Sequence, residues 1–334
     1  MMTPMTSSPL TRYVSCSSCG AANGFVVRHE AANSYERDSR LRVVSCSACG
    51  LIFLNPQYTE RAYTDFYASL YYRDLPTDAL DRNRIELGNS YLRHYHDIFS
   101  VFARDLQPQD RVLDIGSGHG TWLRLLFRFA ASIRPGNVTA LEPSSGACDA
   151  LRRQFPAIDV VQDVLSSARL PSGVFDAVLC GALIEHLTDP LEGLVEMNRL
   201  LRPGGRLFLV TPSAEPRSFR YGLDRFFKFV HTTYFTESTL ASMLTKSGFE
   251  IAHSRTDPGN DLGMLWCPTI LLIARKLRSV TPPVRSVIAS DRANATAVEA
   301  LFTTARAAER TLPRWRAPLL KVARAAYRIT MPSL

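Results

Sequence analysis

A glycine-rich turn directly after a short apolar run is the feature that most constrains how this chain can fold. The segment VLDIGSGHG places Gly116, Gly118 and Gly120 after a run typical of a β-strand, and the next segment, GTWLRLLFRFA, is typical of a helix. Glycines at such a turn let the backbone pass close to a ligand, because no side chain intervenes. The segment therefore predicts a strand–turn–helix unit that binds a ligand at its turn.

Strand-like and helix-like runs alternate over the rest of residues 111–277. The strand-like runs after the first are NVTALEP, IDVVQ, FDAVLCGALI, RLFLVTP, FEIAHSRT and PTILLIARKL. Alternation of this kind predicts a parallel sheet with helices on both faces. No helical run separates the last two strands, which predicts an antiparallel pair at one edge. We therefore predict an α/β fold with a Rossmann-like, doubly wound, mostly parallel seven-stranded sheet, preceded by a small N-terminal zinc module and followed by a helical C-terminal tail.

Two CxxC pairs lie near the N-terminus. Cys16 and Cys19 belong to CSSCG, and Cys46 and Cys49 belong to CSACG. Each pair places two thiolates on a tight turn, and four thiolates complete a tetrahedron around zinc. A closed site of four sulfurs leaves no position for water, so its role is structural. The spacing predicts a structural zinc site, and a pair of reduced, metal-free turns is the alternative.

The C-terminal tail carries the whole excess of positive charge. Residues 276–334 contain 11 basic and 3 acidic residues, which equals the net charge of +8 of the entire chain. The segment LPRWRAPLLKVARAAYRI gathers arginines and a lysine opposite an apolar stripe, a pattern that suits an anionic membrane surface. A helix docked on the body with a solvated basic face is the alternative. We expect a cytoplasmic protein, with a peripheral membrane or partner-protein contact through the tail left open.

The nature of the ligand follows from what surrounds the turn. A dinucleotide fingerprint needs Gly or Ala at position 121, where this chain has Thr121, and Asp114 would repel a pyrophosphate. A cationic cofactor without phosphate, such as S-adenosylmethionine, meets no such objection. Glu142 ends the second strand, where a carboxylate can accept hydrogen bonds from both ribose hydroxyls, and Asp163 could accept one from the adenine amino group. The predicted cofactor-binding residues are Asp114, Gly116, Gly118, Glu142, Asp163 and Gly181.

With these motifs the chain resembles the class I S-adenosylmethionine-dependent methyltransferases. The resemblance is carried by VLDIGSGHG, ALEPS, FDAVLCGALIEHLTDP, LLRPGGRLFLVTP and HTTYFTESTLASMLTKSGFEI. The front part, with CSACGLIFLNP and DFYASLYY, is similar to a subgroup in which a zinc module precedes that domain. Sugar C-methyltransferases and methyltransferases for surface polysaccharides and natural products belong to this subgroup.

The resemblance implies four segments along the chain. These are a zinc-binding module at 1–56, a helical lid or linker at 57–108, an S-adenosylmethionine-binding methyltransferase domain at 109–278 and a basic amphipathic helical tail at 279–334.

Three side chains are candidates for the chemistry. Methyl transfer is an in-line displacement that depends on near-attack geometry, and a hydroxyl or carbon acceptor also needs a base. His186 follows the fourth strand, where the methyl group should point, and His231 follows the fifth. Glu185 is the third candidate. The alternative is structural, in which His186 or Glu185 forms hydrogen bonds with the loop that opens the next helix.

The function that these residues predict is methyl transfer to a small-molecule or sugar-linked acceptor, directed to oxygen or carbon, with a histidine base. An RNA methyltransferase is one alternative, but residues 1–275 balance to zero net charge, so nucleic acid is not an expected partner. A non-catalytic scaffold that binds the cofactor and docks through its basic tail is another.

Overall fold

The computed structural model describes residues 10–32, 40–67, 95–219, 222–257 and 268–311. Its N-terminal elements are β1 (Thr11–Arg12), β2 (Phe25–Ala32), β3 (Arg40–Cys46), β4 (Ile52–Leu54), β5 (Gln57–Tyr58), α1 (Glu60–Phe66) and α2 (His96–Ala103). Strands β1 and β5 form a two-stranded antiparallel ribbon, and β2, β3 and β4 pair antiparallel in chain order.

The alternating strands and helices predicted from the sequence follow. They are β6 (Val112–Ile115), α3 (Thr121–Phe129), β7 (Val138–Leu141), α4 (Ser145–Gln154), β8 (Asp159–Val161), β9 (Phe175–Gly181), α5 (Pro190–Leu200), β10 (Leu201–Pro212), α6 (Leu223–Phe226), β11 (Thr233–Tyr234), α7 (Glu237–Lys246), β12 (Phe249–Asp257), β13 (Thr269–Lys276) and α8 (Ala289–Thr311). Short 3₁₀ turns lie at Pro135–Asn137, Ile184–His186 and Pro216–Phe219.

Seven of these strands form one sheet, which confirms the predicted Rossmann-like fold. Their order is β8-β7-β6-β9-β10-β13-β12, and the first five are parallel. Strand β13 is antiparallel to both of its neighbours, so the last strand lies inside the sheet rather than at its edge. The strand order reverses between β6 and β9, and ligands of doubly wound sheets bind outside the carboxyl ends of the strands at such a point.

Local side-chain signals explain where the helices around this sheet begin. The Ser144 hydroxyl accepts a hydrogen bond from the Ala147 amide, and the Asp189 carboxylate accepts one from the Glu192 amide, so each caps free N–H groups at a helix start. Thr236 and Thr239 form a reciprocal capping box at the start of α7. These contacts fix the first turns of α4, α5 and α7 against the carboxyl edge of the sheet.

The N-terminal strands and the main sheet share one hydrophobic core. The four cysteines and Leu51 belong to the same buried cluster as Leu113 of β6 and Leu272 of β13. Strand β11 lies about 180 residues after β4 in the sequence, yet it pairs with β4 and completes a four-stranded sheet in the order β11-β4-β3-β2. The front module is therefore interleaved with the α/β fold, since one of its strands comes from residues 233–234.

Helix α8 docks on this combined body. The Lys246 ammonium at the end of α7 pairs with the Asp291 carboxylate of α8 at 2.8 Å, and both side chains are 1% exposed. The same ammonium donates to the carbonyl and hydroxyl of Ser18 at 3.1 and 2.8 Å. At the other side of α8, Arg28 of β2 pairs with Glu299.

Two of the predicted segments lie partly outside the described residues. The helix predicted from residue 81 to 105 is seen as α2 over its last part, and the basic segment 312–334 falls beyond the described ranges. Among the described helices, none has the length and apolarity that crossing a bilayer requires.

We predict that Lys246→Met lowers the free energy of unfolding by about 3 to 5 kcal/mol, because it leaves the Asp291 carboxylate buried without its cation. Urea unfolding measures this change. The matched control is Arg61→Met, which removes an exposed ion pair with Asp65 and should cost less than about 0.5 kcal/mol. Equal small losses for the two variants would contradict a structural role for the buried pair.

Candidate active site

The glycine-rich turn after β6 is anchored to Glu142 at the end of β7. Gly116 and Gly118 have positive φ angles of 68° and 50°, which glycine adopts readily. The Gly118 amide donates to one oxygen of the Glu142 carboxylate and the Ser144 amide donates to the other, each at 2.9 Å. An ionised carboxylate has about four lone-pair positions, so each oxygen keeps one for a further donor. Burial raises the pKa of Glu142 above its usual range.

Asp114, two residues before the turn, is the least satisfied polar group at this edge. Its side chain is fully buried, and no described residue donates a hydrogen bond to either carboxylate oxygen. The Ser117 hydroxyl donates instead to the Asp114 main-chain carbonyl at 2.8 Å. Burial raises the pKa of Asp114 to about 7. A buried carboxylate without a donor is the kind of group that a cationic ligand would stabilise, so the site fits a positively charged cofactor.

A cavity of about 390 Å³ opens beside the turn. At one end Gly116, Leu141 and Asp163 line it, and the last accepts a hydrogen bond from the Val164 amide at 2.8 Å. At the other end it reaches His186 and the first turns of α5, while α1 lies along its wall. The cavity therefore runs from the predicted cofactor residues to one of the predicted catalytic residues.

The three predicted catalytic side chains lie together at that second end. Glu185 and His186 form the 3₁₀ turn after β9, and a Glu185 oxygen lies 3.9 Å from Nε2 of His186. The His186 and His231 rings are 4.7 Å apart between centroids and nearly perpendicular. The second Glu185 oxygen accepts a hydrogen bond from the Thr211 hydroxyl at 2.9 Å. The structure thus brings together residues that are 45 positions apart in the sequence.

Burial sets the protonation of these groups. It raises the pKa of Glu185 to about 7 and lowers the pKa of His186 to about 4. The pKa of His231 is also well below its usual value, because the ring is buried and because His186 and Lys228 lie near it. Both imidazoles are therefore neutral at physiological pH, which is the form that accepts a proton.

Packing gives Gly181 a clear reason to be glycine. A Cβ atom built there would lie 2.0 Å from the Trp122 indole, whose N–H donates to the Gly181 carbonyl at 3.2 Å. The indole of α3 thus occupies the space next to this residue at the end of β9. A cofactor contact at Gly181 stays a prediction.

Tyr67 is a site residue that the sequence reasoning missed. Its hydroxyl lies 2.7 Å from Nδ1 of His186, and the two rings meet edge to face. The aromatic run DFYASLYY drew attention to Tyr71 and Tyr72, which lie outside the described residues. The available signal was the spacing of four between Tyr63 and Tyr67, which places both rings on one face of a helix, and both line the cavity.

The four predicted zinc ligands meet at one point. Sγ of Cys16 lies 3.5 Å from Sγ of Cys49, and Sγ of Cys19 lies 3.6 Å from Sγ of Cys46. A tetrahedral zinc ion with bonds of about 2.3 Å needs sulfurs about 3.8 Å apart, so the cluster fits that ion. All four sulfurs lie within 4.8 Å of one another. The arrangement is closed, as a structural site should be.

Comparison with known proteins identifies the domain around the cavity. A sequence profile described as a methyltransferase domain matches residues 85–254, which is half of the chain. The chain belongs to this methyltransferase family. The matched range contains the glycine-rich turn, Glu142 and all three candidate catalytic residues, whereas the four-cysteine cluster lies outside it.

Curated relatives agree with this assignment. The chain is 34% identical over 119 residues to the ubiquinone biosynthesis O-methyltransferase of Xanthomonas campestris pv. campestris strain B100, covering 36% of this chain and 50% of the relative. It is 28% identical over 163 residues to a probable S-adenosylmethionine-dependent methyltransferase of Mycolicibacterium smegmatis, covering 49% of this chain and 60% of that one. The chain thus spans about half the length of these relatives.

One solved structure shows the same fold over a longer range. It is the 1,6-didemethyltoxoflavin N1-methyltransferase of Burkholderia thailandensis, determined with 1,6-didemethyltoxoflavin and S-adenosylhomocysteine bound. The two chains share 18% sequence identity and a TM-score of 0.50, over 73% of this chain and 97% of the other. At this identity the likeness concerns the fold alone.

We predict that Cys46→Ala lowers the zinc content from about one ion per chain to nearly none, because three thiolates cannot close the tetrahedron. The melting temperature should fall as well, since the cluster belongs to the shared core. Metal analysis and thermal unfolding measure both effects. Cys180→Ala, which removes a buried thiol of β9 outside the cluster, is the matched control and should retain zinc. Retained zinc and unchanged melting in Cys46→Ala would reject the site.

The raised pKa of Asp114 predicts a pH-dependent stability in the ligand-free protein. The folded state holds the proton more tightly than the unfolded state, so this contribution is complete at low pH and is lost as the pH rises towards 7. Relative to Asp114→Asn, the wild type should lose about 1.4 kcal/mol of unfolding free energy per pH unit between about pH 4 and 7. Urea unfolding across this range measures the difference, with the exposed Asp97→Asn as control. Parallel curves for wild type and Asp114→Asn would contradict the prediction.

Proposed function

We propose that this protein is an S-adenosylmethionine-dependent methyltransferase that acts on a small-molecule or sugar-linked acceptor. The observation that carries the proposal is the Glu142 carboxylate at the end of β7, which two backbone amides fix beside the glycine-rich turn that follows the neighbouring strand β6. Family membership and the named S-adenosylmethionine-dependent relative support it.

The residues along β6, β7 and β8 would hold the cofactor. The free lone pairs of Glu142 would accept hydrogen bonds from the two ribose hydroxyls, and Asp163 would accept one from the adenine amino group. Asp114 would stabilise the positive charge of the cofactor from its buried position. When bound, S-adenosylmethionine supplies an electrophilic methyl group whose leaving group is a neutral thioether.

His186 is the proton acceptor that this proposal favours. Its Nδ1 lies 3.0 Å from the Val230 carbonyl, which can only accept a hydrogen bond, and 2.7 Å from the Tyr67 hydroxyl, which can accept as well as donate. We assign the proton to Nδ1, because this satisfies both contacts and leaves a lone pair on Nε2. The lowered pKa keeps the imidazole neutral at physiological pH, so Nε2 is the atom that would take the proton, and the same shift makes it a weaker base than an exposed histidine. His231 and Glu185 stand beside it as the alternative acceptors of that proton.

The charge of the cavity wall bears on the acceptor. The carboxylates that line it are Glu60, Asp163, Asp189, Glu192 and Glu196, and its described lining residues include neither lysine nor arginine. Such a wall disfavours a polyanion, which argues against an RNA acceptor. Any phosphate of a nucleotide-linked sugar would have to lie outside this cavity. We therefore propose that the part of the acceptor that enters is neutral or cationic.

We predict that the protein binds S-adenosylhomocysteine and that Glu142→Ala weakens this binding at least tenfold, because two hydrogen bonds to a charged acceptor are lost. Isothermal titration calorimetry measures the affinity, and Glu250→Ala, on the exposed side of β12, is the matched control. His186→Ala should bind S-adenosylhomocysteine like the wild type and lose about 100-fold or more in turnover with any acceptor found.

The outcomes separate the proposal from its alternatives. Binding that Glu142→Ala loses and Glu250→Ala keeps supports the cofactor site. Binding without turnover across a screen of hydroxyl, amine and carbon acceptors favours a non-catalytic scaffold. A wild-type protein that gives neither heat nor a thermal shift with the cofactor would overturn the proposal.

A further inference from the structure

The cluster of Glu185, His186 and His231 has the composition of a metal site as well as that of an acid–base site. The backbone holds the two segments together, since the Thr232 amide donates to the Glu185 carbonyl at 2.8 Å. The Thr232 hydroxyl adds a hydrogen bond to the same carbonyl at 3.1 Å. One carboxylate and two imidazoles therefore converge on a rigid support.

Each of the first two side chains is oriented by a partner that leaves one donor atom for a ligand. Thr211 occupies one oxygen of Glu185, so the other oxygen points towards the histidines. The Val230 carbonyl and the Tyr67 hydroxyl both contact Nδ1 of His186, and with the proton on Nδ1 the lone pair of Nε2 is left for a ligand. A histidine whose second nitrogen donates to a backbone carbonyl is the usual arrangement of a metal-binding imidazole.

The distances suit a single ion. One donor atom from each residue lies within 4.8 Å of the others, and the Glu185 oxygen and Nε2 of His186 are 3.9 Å apart. A first-row metal with bonds of about 2.1 Å needs donor atoms about 3 to 3.5 Å apart, so the three side chains would have to close slightly around it. No hydrogen bond from the His231 ring to another described residue opposes such a rotation.

We propose that Glu185, His186 and His231 bind one divalent first-row transition-metal ion. Two imidazoles and one carboxylate are donors that suit such ions, and a set of three leaves coordination positions open. His186 lines the cavity and its side chain is 21% exposed, so these positions face the acceptor end. The four-cysteine cluster is a separate site with sulfur donors only.

The consequence for catalysis rests on the proposed function. An acceptor hydroxyl would bind at an open position through its oxygen, which lowers its pKa, and its proton would leave to water. The oxygen lone pair then forms the new bond to the methyl carbon, while the electron pair of the broken carbon–sulfur bond stays on the thioether sulfur. The ion and a proton compete for the same lone pair of Nε2. With the ion bound, His186 would be a metal ligand rather than the base, and the ion would activate the acceptor.

A cobalt titration of the zinc-loaded full chain tests the site without S-adenosylmethionine. We expect one Co²⁺ per chain, with the ligand-field absorption of nitrogen and oxygen donors and without the sulfur-to-cobalt charge-transfer bands of a thiolate site. Glu185→Gln and His231→Gln should each weaken binding tenfold or more. His29→Gln is the matched control, because His29 pairs with Asp224 away from the cavity and should leave cobalt binding unchanged.

The result is independent of the cofactor. The metal site would be overturned if the wild-type protein bound no cobalt or showed only sulfur-to-cobalt charge-transfer bands. It would also be overturned if Glu185→Gln and His231→Gln both bound cobalt as tightly as the wild type. S-adenosylhomocysteine binding by each variant shows that it is folded, and His231→Gln provides a test should Glu185→Gln fail to fold. Binding of cobalt without binding of S-adenosylhomocysteine would support the metal site and contradict the proposed function. Binding of S-adenosylhomocysteine without binding of cobalt would support the proposed function and contradict the metal site.

Discussion

The buried ammonium group of Lys246 is the interaction on which the assembly of this protein depends. An ion pair that is 1% exposed is stable only when every charge has its partner, and here the partners come from three distant parts of the chain. Ser18 belongs to the first cysteine turn, Lys246 ends the helix before β12, and Asp291 starts α8. The cysteine module, the α/β domain and the first tail helix therefore stabilise one another.

A second set of contacts extends this support to the cavity. Arg285 donates to the Ser17 carbonyl at 2.6 Å and pairs with Asp189 and Glu192, which line the cavity at the start of α5. Gln57 donates to the Thr188 carbonyl beside them. The front module thus supports the cavity wall from outside and links the four-cysteine cluster physically to the cavity.

Several buried ionisable side chains lie together at the carboxyl edge of the sheet, where they do not stabilise the fold. Asp114 has no donor among the described residues, Glu185 has a raised pKa, and two neutral imidazoles face each other. Burying such groups costs stability, and they are found together where a ligand or a reaction uses them. The range that matches the methyltransferase family includes both Asp114 and the cluster of Glu185, His186 and His231.

The sequence by itself determined the features that depend on neighbouring residues. The alternating apolar runs, the caps at Ser144, Asp189 and Thr236, the glycine turn and the CxxC spacing each act over a few positions, so the sheet, its helices and the cofactor edge could be predicted. Only the tertiary structure decided that β13 lies inside the sheet, that β11 completes the front sheet, that Trp122 fills the space at Gly181 and that Tyr67 reaches His186. With β13 counted by its pairing with β10, these contacts join residues from 57 to 182 positions apart in the sequence. Their register is set by packing and hydrogen bonding that no local pattern records.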